Sequence, residues 1–333
     1  MFLGIEFSIG LIVVLFLVLA AEFVNGWTDA PNAITTVIST RVLSSRNAII
    51  MATILNIAGT FSGTAVALTI GKNIVDSSVI NLTTIGAAMV AIVIWSTVAW
   101  RLGLPTSESH ALVSGLAGAA FATAGVDALI WNGWLKVLAG LLFSTILGFI
   151  SAILIVISIL WLCRYSKPMK VSRAFGRLQI ISAAFMAFSH GSNDGQKFIG
   201  VFTLALVLGG VIPEFQVHPM VIILCSIVMG IGTSVGGWRI IKTLGIKMVN
   251  IQPYQGFAAE TGAALVIQLA TVFGIPLSTT HTIGTAIMGA SCARRTSSVR
   301  WKVVQQIVLA WILTFPICGA ISFIVAMVFN KFN

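Results

Sequence analysis

Charge is scarce in this chain: Asp, Glu, Lys and Arg together make up 8% of 333 residues, and only 9 of them are acidic. An ordinary soluble domain, about a quarter of whose residues are charged, is thereby excluded. Cysteine is scarce as well. Cys163, Cys225, Cys292 and Cys318 show no C-x-x-C or Cys/His spacing, so no metal or disulfide framework is encoded and buried free thiols are expected. The first 24 residues contain no Lys or Arg. They lack the basic region of a cleaved signal peptide and are expected to stay as a first helix.

What fills the chain is apolar. Hydrophobic residues account for 58% and the mean hydropathy is +1.04, the composition of an integral membrane protein. A membrane helix needs about 20 apolar residues, so the length accommodates roughly ten such segments with short loops and no sizeable soluble domain. The formal charge of +10 does not point to nucleic acid, because the basic residues sit in short loops. They fall at Arg41 and Arg46, at Arg164 to Arg177, at Arg239 to Lys247 and at Arg294 to Lys302. This is the positive-inside pattern, which assigns those loops to the cytoplasm.

The sequence also states one unusual pattern twice. Phe23-Val-Asn-Gly-Trp-Thr-Asp-Ala-Pro-Asn32 returns as Phe188-Ser-His-Gly-Ser-Asn-Asp-Gly-Gln-Lys197, with Phe, Gly and Asp in register. A second pair follows, Pro105-Thr-Ser-Glu-Ser-His110 and Pro276-Leu-Ser-Thr-Thr-His281, 76 residues after Asp29 and 82 after Asp194. The loop after the first Asp motif is basic, whereas the loop after the second carries Glu214 and no Lys or Arg. Equivalent loops thus face opposite sides, as inverted-topology repeats require. The predicted fold class is an all-α integral membrane protein, two inverted repeats with broken or re-entrant helices and about 10–12 helical segments. The first repeat spans 1–163, a cytoplasmic connector 164–177, and the second repeat 178–333, with both termini external.

Apolar segments are expected near 7–24, 47–70, 84–100, 108–124 and 134–163, then 178–189, 198–212, 219–241, 255–274, 279–292 and 303–329. Asn25-Gly26 and Gly191-Ser192 are poor helix interior, Pro31 suits a first helical turn, and Pro105 and Pro276 precede new apolar runs. These sites are read as helix breaks. A break at membrane depth must line protein or a water-filled cavity, since its backbone groups cannot face lipid.

Those breaks carry the chemistry. Ser107, Ser109, Ser278, Thr279 and Thr280 stand where a helix begins, with hydroxyls that either cap the helix or donate to an oxyanion held at its positive end. Asp29 and Asp194 are costly at membrane depth and read as functional, although Asp29 also suits a helix cap. With the amides of Asn32, Asn193 or Gln196 they offer hard oxygen ligands suited to sodium, and a carboxylate alone could carry a proton. Glu260 is a further cation candidate whose counterpart in the first half is Met89. Lys197 neutralises Asp194 or the anion, or merely snorkels. His110 and His281 are expected to hydrogen-bond the broken backbone rather than bind metal, and Glu22 is left open between a structural and a functional role.

The four motifs, in this order over essentially the whole chain, resemble the inorganic phosphate transporter (PiT) family. The resemblance implies secondary active symport of phosphate with sodium or protons by alternating access, and a homodimer in the cell membrane. It implies no enzyme activity, cofactor or nucleic-acid partner. Ser107, Ser109, Ser278, Thr279, Thr280 and Gln196 would hold phosphate, and Asp29, Asn32, Asn193, Asp194 and Glu260 the cations. Bacterial members that carry sulfate are similar, and a membrane enzyme acting on lipid-linked phosphate is the alternative of another class. The chain departs from the commoner family pattern at Thr28, where Asn or His precedes the aspartate, and at Glu108, where many members have a small residue.

Overall fold

The computed structural model describes residues 8–331, and they are nearly all helical. In the first half α1 (Ile9–Thr28), α2 (Thr35–Ser39), α3 (Ser45–Thr60), α4 (Ala65–Asn73), α5 (Leu82–Leu102), α6 (Glu108–Ala124) and α7 (Trp131–Leu162) follow one another. The second half has α8 (Pro168–Leu208), α9 (Pro219–Val235), α10 (Trp238–Ile241), α11 (Pro253–Val272), α12 (Thr279–Cys292) and α13 (Trp301–Phe329). Capping residues set the starts. Ser44 accepts from the Asn47 amide ahead of α3, and Asn81 with Thr84 forms a capping box on α5.

Five helical stretches are long and apolar enough to cross a membrane, and two bent pairs, α3 with α4 at 67° and α9 with the Trp238–Lys247 helix at 60°, raise the number to as many as 7. The outward faces of α7 and α13 expose Leu142, Ile146, Leu154, Leu309, Ile312 and Ile324. An apolar belt of this kind suits lipid and would be a liability in water.

Packing in the two halves is exchanged. Helix α1 lies on α9 and α5, as α8 lies on α3 and α11; α13 covers α6, as α7 covers α12. The correspondence extends to single residues. Val75 bridges Leu129 just before α7, and Val249 bridges Val299 just before α13.

Two expected breaks are absent. Asn25 and Gly26 lie within α1, and Gly191-Ser192 lies in the middle of the unbroken α8. The segments expected at 178–189 and 198–212 are one helix, which also takes in the basic residues from Pro168 to Arg177. The glycines serve helix contact instead. A Cβ on Gly26 would lie 2.3 Å from the Met229 carbonyl oxygen on α9, and one on Gly191 2.2 Å from that of Asn56 on α3. At such crossings a bare backbone is needed for close approach, and it outweighs the weak helix propensity of glycine. The first-half break lies beyond Gly26, at Asp29 and the 3₁₀ turn Ala30–Ile34 that has Pro31 as its second residue. Cys225 and Cys318 are buried as expected, Cys163 and Cys292 only partly, and all four are free.

The loops gather at two ends. At one end Arg300 donates to the Ile246 and Lys247 carbonyls, Arg239 donates to that of Arg101, and a cleft of about 730 Å³ is lined by Arg41, Ser44, Trp238 and Arg300. A second cleft, about 810 Å³, joins Arg164 and Arg173 to Arg294. At the other end the Asp76 amide donates to Ala128, and Lys72 lies over the ring of Phe215.

Candidate functional site

The two Asp motifs present their side chains by different means. Asp29 caps the end of α1, its amide bonded to the Asn25 carbonyl, and the following 3₁₀ turn swings Asn32 back toward it. On α8 no turn is needed, because His190, Asn193, Asp194 and Lys197 share one helical face by their spacing. All of these residues are buried.

Asp29, Asn32, His190, Asp194 and Lys197 converge on one polar cluster. Asp29 Oδ1 accepts hydrogen bonds from Asn32 Nδ2 and the Thr280 hydroxyl, and Asn32 Nδ2 also reaches Thr280 Oγ1 at 2.9 Å. The Thr279 hydroxyl stands between the aspartates, 3.0 Å from Asp194 Oδ2 and 3.4 Å from Asp29 Oδ2. Lys197 Nζ donates to Asp194 Oδ1, to Ser109 Oγ and, at 2.8 Å, to the Leu277 carbonyl. His190 Nδ1 donates to Asn56 Oδ1, 2.8 Å away, while its Nε2 lies 3.5 Å from Asp194 Oδ2. One ligand atom from each of Asp29, His190 and Asp194 falls within 4.8 Å of the others, a spacing that a single cation could bridge.

Two helix starts meet at the same place. Ser107 Oγ accepts from the His110 amide at 3.2 Å, and Ser278 Oγ from the His281 amide at 3.1 Å. These are N-caps, yet a hydroxyl that accepts keeps its own proton to give. Ser109 spends its proton on the Leu277 carbonyl, 2.6 Å away, which ties the start of α6 to the break before α12. The amides of Glu108, Ser109, Thr279 and Thr280 and the protons of Ser107 and Ser278 are the donors left for a ligand, and both helix dipoles place their positive ends there.

Other expected site residues fall elsewhere. Asn193 bridges α8 to α11, donating to Thr271 Oγ1 at 2.8 Å and to the Ile275 carbonyl at 3.3 Å. Gln196 turns away from the hydroxyls and accepts from the Val66 amide at 3.0 Å, at the bend between α3 and α4. Glu260 forms a separate cluster. Its carboxylate accepts from Thr36, Gln179 and Ser182 and shares no hydrogen bond with either aspartate. His110 and His281 meet edge to face at 4.3 Å, Trp311 stacks on His281 at 3.9 Å, and His110 Nδ1 and His281 Nε2 lack partners, so these ring nitrogens do not bond the broken backbone as expected. Glu22 is buried and accepts from Asn25 at 3.2 Å.

Several partners carry no mark in the sequence. Ser96 donates to Glu108 Oε2 at 2.8 Å and Thr28 to Glu108 Oε1 at 2.9 Å. Thr28 and Glu108, the two departures from the commoner motif pattern, are therefore bonded to each other across 80 residues, and their joint departure was the available signal. Thr36, Gln179 and Ser182 had none beyond the three-residue spacing that puts the last two on one face of α8.

Comparison with known proteins bears on this architecture. The model of the phosphate transporter family matches residues 25–322. A “Probable low-affinity inorganic phosphate transporter” of Rhizobium meliloti (strain 1021) is 41% identical over 96% of each chain, and one of Bacillus subtilis (strain 168) is 38% identical over 96% of this chain and 97% of its own. A solved structure titled “The sodium-dependent phosphate transporter” superposes with a TM-score of 0.88 at 22% identity, covering 98% of this chain and 100% of that one. That likeness shows the fold, a multi-pass helical membrane architecture. With the family model spanning nearly the whole chain and both motif pairs folded into one buried cluster, this protein belongs to the phosphate transporter family, whose members are transporters and not enzymes.

Proposed function

We propose that this protein is a symporter that imports inorganic phosphate together with a cation, by alternating access around the Asp29–Asp194 cluster. The observation that carries the reading is the meeting of two helix N-termini, those of α6 and α12, beside two buried carboxylates. Dipole ends and hydroxyl protons favour an anion, and the carboxylates favour a cation. Bound next to each other, each ion improves the other's site by the same factor, and that reciprocity is the thermodynamic basis of symport. Ser107 and Ser278 would donate to the phosphate oxygens, and Asp29 with Asn32 would hold the coupling cation. Sodium suits these oxygens, and the structural neighbour is titled sodium-dependent; a proton carried by a carboxylate is the other form of the same reading.

The two repeats are proposed to be inverted, 1–163 against 178–333, with the 164–177 stretch cytoplasmic, both termini external, and the protein a homodimer in the cell membrane. The exchanged packing of the halves supports the repeat, and the gathering of basic loops at one end supports the orientation. Glu260 would serve a cation at a second locus.

The test is accumulation of labelled phosphate in liposomes holding the purified protein, driven by a sodium gradient in one arm and a proton gradient in another. Uptake above equilibrium that collapses with one gradient supports the reading and names the ion. Uptake that only equilibrates would make this a facilitator. Sulfate competes in a third arm: its own accumulation would show that the substrate assignment is wrong.

A further inference from the structure

We propose that Lys197 is a tethered cation, occupying permanently in the second half-site the place that a mobile cation takes in the first. This rests on the symport reading above.

The two half-sites can be superposed by sequence. Asn32 follows Asp29 by the interval at which Lys197 follows Asp194, and Thr280 holds in its motif the place that Ser109 holds in the other. Their contacts repeat in the same way. Asn32 Nδ2 donates to the Asp29 carboxylate and to Thr280 Oγ1, and Lys197 Nζ donates to the Asp194 carboxylate and to Ser109 Oγ. The exchange of Asn for Lys replaces an amide, which keeps an acceptor oxygen, by a unit positive charge that only donates. That charge also reaches the carbonyl of Leu277, in the break before α12.

The ammonium is thus surrounded by a carboxylate, a hydroxyl and a backbone carbonyl, the hard oxygen types that sodium takes from a protein. It does not snorkel, because the side chain is 1% exposed and all its polar contacts lie inside the cluster. On the other side the structure leaves an acceptor open. Asn32 Oδ1 is fully buried and has no hydrogen-bond partner, and it belongs to the residue that touches both Asp29 and Thr280. An acceptor left buried and unpaired is costly, and a cation at Asp29 would satisfy it. Among the described residues no Lys or Arg bonds Asp29, whereas Asp194 has Lys197. The core therefore calls for one mobile cation, at the Asp29 half-site, and carries the other charge within the chain. A mobile cation leaves after each cycle and contributes its gradient to the drive; a tethered one only holds phosphate.

Two exchanges test this, with the number of cations moved per phosphate read from the reversal potential of uptake in liposomes under sodium gradients and, separately, proton gradients. Lys197→Asn recreates the first half-site in the second and is expected to add one cation per phosphate and steepen the cation dependence of uptake. Asn32→Lys tethers a charge in the first half-site and is expected to remove one cation per phosphate and to retain phosphate binding in choline buffer. Wild-type ratios in both variants would overturn the proposal. So would failure of both to assemble as monodisperse protein, because half-sites that accept either kind of charge should tolerate the exchange. A wild-type protein that accumulates no phosphate under any gradient would instead refute symport, and the choline binding measurement on Asn32→Lys would still report on the lysine.

Discussion

Asp29 and Asp194 share the hydroxyl of Thr279, and the site's dependence on each can be separated from its dependence on the helix starts. Asp29→Asn or Asp194→Asn keeps the volume and most of the hydrogen-bonding capacity while deleting a charge. Each is expected to abolish concentrative phosphate uptake in liposomes with normal membrane insertion; normal uptake by both would end their assignment to the cation. Ser107 and Ser278 act on the anion. Ser107→Ala or Ser278→Ala removes a donor to a charged partner, about 1.5 to 3 kcal/mol, so the half-saturating phosphate concentration should rise roughly ten- to a hundredfold. A comparable change in cation affinity with phosphate affinity untouched would place the hydroxyls on the wrong ion. The aspartates and hydroxyl runs were legible in the sequence because carboxylates and clustered Ser/Thr stand out in apolar segments. Ser96 and Thr271 were not, since an inward-facing hydroxyl in a helix has no local signature and its partner lies far along the chain.

Helix crossings explain the one systematic misreading at the level of elements. Gly26 and Gly191 look like breaks when helix propensity is weighed residue by residue, but each lies inside a helix where a neighbouring carbonyl comes within 2.3 Å of the missing Cβ. Tertiary contact overrode propensity there, whereas Pro31, Pro105 and Pro276 kept their meaning because proline cannot donate to the helix ladder. Replacing Gly191 by Ala should push α8 off α3, where Gly59 makes the reciprocal close approach to the Phe188 carbonyl. Overpacking of this kind costs about 1 to 3 kcal/mol. The expected outcome is a lower melting temperature of the purified protein in detergent. Gly210→Ala, at a place where no atom lies within 4 Å but the backbone is left-handed, would be strained for another reason and is not a suitable control; Gly10, open on all sides and on α1, is. Equal melting of Gly191→Ala and Gly10→Ala would mean that the crossing of α8 and α3 has room for a methyl group.

Orientation belongs to the whole molecule, and here loop charge and packing agree without either containing a membrane. The basic stretches around Arg41, Arg164 to Arg173, Arg239 to Lys247 and Arg294 to Arg300 line two clefts and exchange hydrogen bonds at one end. At the other end the Asp76 segment pairs with Ala128, Lys72 meets Phe215, Leu11 touches Gly209, and Asn330 meets Thr83. Loops grouped by charge in the sequence are thus the loops grouped in space, and the end bearing the arginines is expected to face the cytoplasm. On that proposal the described residues near Leu11 and Asn330 would face outside with Asp127 and Glu214. Single cysteines introduced between residues 166 and 172, in a background whose four native cysteines are replaced, should react with a membrane-impermeant maleimide only after the cells are opened. Cysteines beside Asp127 and Glu214 should react in intact cells. Labelling of 166–172 from outside would invert the whole assignment at once, because the packing leaves no way to turn one basic loop without the others that line its cleft.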